Sequence, residues 1–167
     1  MNETAAGAAP ERTLLTARSE YVEGFNRLLG LVHRELRIFD PDLSELGVNS
    51  PQCIGMLSRF LRENRNHRVY VALHDTGHVT TRCPRLIALL GSHTEGLSIF
   101  RTQGDAARVQ DCFVLADNDH LVRRPVRTQA RGVLILNDPA DCQPMRERFD
   151  EIWELSIPAV SANIAGL

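Results

Sequence analysis

The stretch VQDCFVLADNDHLVRRP, residues 109–125, concentrates side chains that can do chemistry. Cys112 is a candidate nucleophile if it ionises, because the thiolate attacks and the thiol does not. Asp117 and His120 flank a polar turn and form a candidate acid–base pair, with the carboxylate orienting the imidazole. The same two residues serve equally as a cross-strand contact that steadies the turn. Arg123, Arg124, Arg127 and Arg131 place four guanidinium groups within nine residues. Guanidinium matches phosphate and carboxylate geometry, so this is a candidate anion site. A solvated face with a few carboxylate pairs accounts for the same spacing.

Elsewhere the signals are thinner. His74, Asp75 and His78 have a spacing that could begin a metal site, but the sequence offers no third ligand, and no metal or other cofactor is expected. Asp40 and Asp42 flank Pro41 and are explained as turn formers. The run RENRNHR (62–68) is basic but has no interleaved aromatics, as a solvated helix end would be. Cys53, Cys83, Cys112 and Cys142 lack any CxxC spacing and read as buried free thiols of a reducing compartment.

Composition narrows the classes further. All 19 basic residues are arginine, which removes a lysine nucleophile or Schiff base from consideration. A net charge of −2 argues against broad attraction to nucleic acid or an anionic membrane. The N-terminal residues Met1 to Glu11 lack a signal-peptide pattern, and no apolar run approaches the roughly 18 residues of a membrane helix. A cytoplasmic location is therefore expected. With 167 residues, 43% of them hydrophobic, the chain suits one domain with a sizeable core.

These side chains need elements to hold them. From Ser19 onward Tyr21, Val22, Phe25, Leu28, Leu29 and Val32 recur at helical spacing. LRIFD (36–40) reads as a strand. NSPQCIGMLSRFLREN reads as a helix capped by Ser50, with Pro51 in its first position. Strands follow at 68–75, 97–102, 112–117, 120–124 and 131–137, with a helix at 83–91 between the first two. The closing helix carries Met145, Phe149, Ile152 and Trp153. A two-residue turn at Asn118-Asp119 sets Val114 opposite Arg123 and puts Arg123 on the face of Gln110 and Cys112. The expectation is an α/β domain over residues 18–157, built on a mixed, largely parallel sheet with helices on both faces. Residues 1–17 read as a flexible arm and 158–167 as a tail.

This order of elements, with RIFDPDL, LSRFLRENRNHRVYVALHD and RFDEIWELS in sequence, resembles a half-domain of the phospholipase D-like superfamily over roughly residues 20–156. That family carries H-x-K-x4-D-x6-G-S-x-N. Asp117 takes the aspartate position of the motif. Gln110 then falls at the histidine, Cys112 at the lysine, Arg124 at the glycine, Pro125 at the serine and Arg127 at the asparagine. In the family the histidine attacks phosphorus and the lysines neutralise phosphate oxygens. The resemblance therefore implies a vestigial motif, Gln110, Cys112 and Asp117, without phosphodiesterase activity. It also implies a homodimer, since such half-domains work in pairs.

The functional expectation is a non-catalytic binding or assembly module, anion-binding and accessory to a partner enzyme. Two alternatives stand beside it. One is a hydrolase or transferase of altered chemistry using Cys112 or the His120/Asp117 pair. The other is a nucleic-acid-binding module working through the Arg123–Arg131 cluster.

Overall fold

Alternation along the strands decides what each side of the sheet covers. In the computed structural model, which describes residues 8–161, Ile38, Val71, Val114, Val122 and Leu134 face one layer. Their neighbours Phe39, Ala72, Phe113, Leu115, Leu121 and Ile135 face the other. Both sets are buried, so the central strands are apolar on both faces and helices must cover each side.

The elements are β1 (Glu11–Leu15), α1 (Arg18–Leu31), β2 (Glu35–Asp40), α2 (Pro51–Glu63), β3 (Arg68–Leu73), α3 (Gly77–Arg82), α4 (Pro84–Ser92) and β4 (Leu97–Thr102). A 3-10 turn at Gly104–Arg108 follows, then β5 (Cys112–Ala116), β6 (His120–Arg124), β7 (Gly132–Leu136), α5 (Pro139–Glu154) and β8 (Ser156–Val160). One eight-stranded sheet runs β1-β7-β6-β5-β2-β3-β4-β8. Helices α1, α2 and α4 bury their apolar stripes in the first layer, while α5 supplies Cys142, Met145, Phe149 and Ile152 to the second and the 3-10 turn adds Ala106.

The mixed α/β sheet follows the sequence expectation. Parallel pairing is confined to β2–β3 and β3–β4, and the other neighbours are antiparallel. The parallel share is smaller than the order of elements suggests because β5 joins β2 antiparallel and brings β6 and β7 with it, and because both edge strands, which side-chain periodicity does not show, are antiparallel too. Residues 11–15 were expected in a flexible arm, yet they pair with β7 although only Leu15 is buried. Residues 156–160 pair with β4 across a register shift, where the expected tail began at 158. Backbone hydrogen bonds can hold an edge strand without a clear apolar pattern. The rest of the expected arm and tail, residues 1–7 and 162–167, lies outside the described residues.

Local signals set the helix starts. Ser50 Oγ accepts from Cys53 N at 3.1 Å, and Pro51 opens α2. At α1 the Glu20 carboxylate reaches back to the N–H groups of Thr16 and Ala17 at 3.1 and 2.9 Å, which also lowers its pKa. This cap fixes where Arg18 leaves the helix. The seat of α1 on β6 is close: a Cβ added at Gly24 would lie 2.8 Å from Val122 Cγ2.

Candidate functional site

The β5–β6 hairpin aims the candidate residues, and its loop is one residue longer than expected. Ala116 pairs with His120 and Cys112 with Arg124, so Asp117, Asn118 and Asp119 form a three-residue connection. Asp117 adopts a left-handed φ of 54°. The change moves β6 by one position, and a one-residue shift exchanges the two faces of a strand. Arg124, not Arg123, therefore shares the face of Cys112.

Arg124 is the most constrained of the four arginines. It is 2% exposed, and its guanidinium carbon lies 4.5 Å from the centroid of the Tyr21 ring. Nη2 donates to Glu45 Oε2 at 2.7 Å. Nε and Nη1 are buried without a hydrogen-bond acceptor among the described residues. Burial opposes its charge, but Cys112 and Glu45 beside it more than offset this and raise its pKa. The other oxygen of Glu45 accepts from Arg18 Nη1 at 2.6 Å, and Arg18 Nη2 donates to the Thr128 carbonyl at 2.7 Å.

Together Arg18, Asp40, Asp42, Glu45, Arg124 and Arg127 line a cavity of about 240 Å³ at the carboxyl ends of β2 and β6. Asp40 ends β2 and turns the chain by accepting Asp42 N at 3.1 Å and Leu43 N at 2.7 Å through Oδ2. Its Oδ1 is buried and has no partner among the described residues, and burial raises its pKa despite those two hydrogen bonds. Asp42 Oδ1 accepts from both the N–H and the hydroxyl of Ser44.

The remaining candidates scatter. Arg123 points to the opposite layer, where its Nε and Nη2 bind Asp111 Oδ2 at 3.2 and 3.1 Å. Arg148 takes the other oxygen of that buried carboxylate at 2.8 Å. Arg131 is exposed and does not line the cavity. The four-arginine cluster thus splits, with Arg124 and Arg127 at the cavity and Arg123 and Arg131 outside it. Gln110 is exposed and its Nε2 donates to the Arg108 carbonyl at 3.1 Å. Cys112 is fully buried, and burial pushes its thiol pKa up.

Asp117 and His120 do not form a pair. The Asp117 carboxylate accepts from the backbone N–H groups of His33, Arg34 and Glu35 at 2.9, 2.7 and 3.1 Å, fastening the hairpin to the start of β2. His120 is buried, and its Nδ1 accepts from Asn137 N at 3.1 Å, which leaves the ring proton on Nε2 near Asp119 at 3.5 Å. The three-residue loop separates the two side chains that a two-residue turn would set opposite each other.

His74 is also committed. Nε2 donates to the Val109 carbonyl at 3.0 Å, so Nδ1 must accept from Thr102 Oγ1 at 2.7 Å. Burial lowers its pKa and favours this neutral form. Among the described residues no group of three or more His, Cys, Asp or Glu could hold a metal ion. No helix of the described residues is long and apolar enough to cross a membrane. The sequence reading overlooked Arg18, Tyr21 and Glu45, whose approach to Arg124 depends on long-range packing, and it took Asp40 for a turn former alone.

Solved structures share this architecture. Nuc from Salmonella typhimurium, a phospholipase D family member, is 15% identical with a TM-score of 0.61, covering 92% of this chain and 100% of that one. NucT from Helicobacter pylori is 9% identical with a TM-score of 0.62, covering 90% of this chain and 100% of that one. TrmBL2, an archaeal chromatin protein whose structure shows a novel mode of DNA binding, is 12% identical with a TM-score of 0.64, covering 89% of this chain and 55% of that one. At these identities the likeness establishes the phospholipase D-like fold and nothing finer. No curated protein matches the chain. A family model described as "Domain of unknown function (DUF7931)" matches residues 17–163, and the chain belongs to that family.

Proposed function

We propose that this chain is a phospholipase D-like domain without hydrolytic activity, acting as a binding and assembly module accessory to a partner enzyme. The observation that carries this reading is the state of Cys112. Its thiol occupies the position that the resemblance assigns to the motif lysine, and it is fully buried with its pKa pushed up. A protonated, inaccessible sulfur is not a nucleophile. Gln110, at the position assigned to the attacking histidine, cannot ionise to do the work. Arg124, across from Cys112, is already paired with Glu45.

Turnover of bis(p-nitrophenyl) phosphate by the purified chain tests the reading. No hydrolysis above the blank is expected. Hydrolysis that follows the protein through purification and disappears in Cys112→Ala would establish an enzyme of altered chemistry instead.

We further propose that the module pairs with a second copy. Both edges of its sheet, β1 and β8, have one side unpaired among the described residues, and Leu155 and Ile157 are exposed beside the β8 edge. Light scattering should give twice the 18.7 kDa chain mass, and a mass that stays at one chain as concentration rises would remove the dimer.

A further inference from the structure

The cavity beside Arg124 already holds an anion, supplied by the chain itself. We propose that Glu45 stands in for a phosphoryl group, and that phosphate or a phosphomonoester enters by displacing Glu45 from Arg18 and Arg124. This deepens the reading of the domain as a binding module and rests on it.

Three guanidinium groups approach the cavity from different elements. Arg18 comes from the first turn of α1, Arg124 from the end of β6, and Arg127 from the loop that follows. Arg124 is built in: its side chain is 2% exposed, it stacks on Tyr21, and two of its nitrogens lack an acceptor among the described residues. Glu45 is not built in. Its side chain is 45% exposed, and it belongs to the irregular segment between β2 and α2. The flanking Leu43, Leu46 and Val48 are buried and hold that backbone, so release of the carboxylate needs only a change of side-chain rotamer.

Charge favours the exchange. Glu45 brings one negative charge, whereas a phosphomonoester brings close to two at neutral pH, with three acceptor oxygens. Arg127 forms no ion pair among the described residues, so a third donor group is available. The other carboxylates of the cavity do not compete for it equally. Asp42 is held by Ser44, and Asp40 is engaged through Oδ2 in its own turn, although its Oδ1, without a partner among the described residues, lies beside the cavity and opposes the ligand's charge.

Calorimetric titration with inorganic phosphate and with phenyl phosphate tests the exchange. Glu45→Gln removes the competing charge and should bind both probes roughly fivefold to tenfold more tightly than the wild type. Glu45→Ala provides a second form should the amide keep its hold on the arginines. Arg127→Gln and Arg18→Gln, both away from the deep core, should weaken binding. Tighter binding of phenyl phosphate identifies a phosphomonoester site, and equal binding identifies a site for the free ion. Wild-type binding that depends on Arg127 but is unchanged in both Glu45 variants would overturn the displacement and leave the module intact. Failure of the wild type and of both Glu45 variants to bind either probe would overturn the phosphate site, while the non-hydrolytic reading still stands or falls on turnover.

Discussion

Cys112 and Arg124 face each other across the β5–β6 hairpin, and Arg124 reaches past the thiol to lie over Tyr21 and bind Glu45. A buried cation is thus held by one aromatic face and one half-exposed carboxylate. Replacing Arg124 with methionine removes the charge and keeps most of the volume. The expected loss of stability is about 1 kcal/mol or less, because substituting a similar-sized apolar residue for a buried charge is often neutral. Arg124→Ala leaves a cavity over Tyr21 as well and should cost about 3 kcal/mol. Urea denaturation of the two variants checks the order.

Asp117 acts as a clamp on three backbone N–H groups. Hydrogen bonds to a charged acceptor are stronger than neutral ones, so Asp117→Ala should lower stability by about 2–3 kcal/mol. Asp117→Asn should recover part of this loss, because the amide oxygen still accepts. Phosphate affinity measured where both variants remain folded should not change in either one. A variant that keeps its stability but loses phosphate affinity would contradict this structural role.

The four thiols are all buried and free. Ellman's reagent should react slowly with the native chain and release four equivalents once it is denatured. Burial raises Cys53 to about 11 and Cys142 to about 12, above the ordinary thiol value they regain on unfolding. Between pH 9 and these values the folded state holds protons that the unfolded state has lost. Stability should therefore fall as pH rises through that window. Thermal melts at pH 8, 9.5 and 10.5 should show a descending Tm whose slope becomes shallower when Cys53 and Cys142 are both replaced by alanine, with Cys83 and Cys112, also raised by burial, keeping part of it.

Gly24 lets α1 approach β6. Gly24→Ala would place a methyl 2.8 Å from Val122 Cγ2 and should destabilise by about 1–3 kcal/mol despite alanine's higher helix propensity. Val122→Ala in the same chain should recover part of that cost. Additive losses in the double variant would mean that the helix shifts instead of clashing.

Much of the scaffold was legible because its signals are local. Ser50 with Pro51, the apolar spacing of α1, and the two-sided apolar strands each act over a few residues. The hairpin register was not. HLVRR repeats a residue class at each step, Leu-Val and then Arg-Arg, so alternation gives no parity to read. The decision falls to Asp117, whose left-handed backbone is stabilised by N–H groups more than 80 residues away in sequence. The meeting of Arg124 with Glu45, 79 residues apart, is equally silent in any short window.

The doubled arginine makes the hairpin tolerant of a slip. If the same residues closed through a two-residue turn at Asn118-Asp119, β6 would turn over, Val122 and Leu121 would trade layers, and Arg123 would pair with Val114 on the face of Cys112 and Tyr21. Arg124 would turn to the layer of Asp111, which Arg123 now binds. Such a slip would exchange two like residues and keep a guanidinium on each face of the strand.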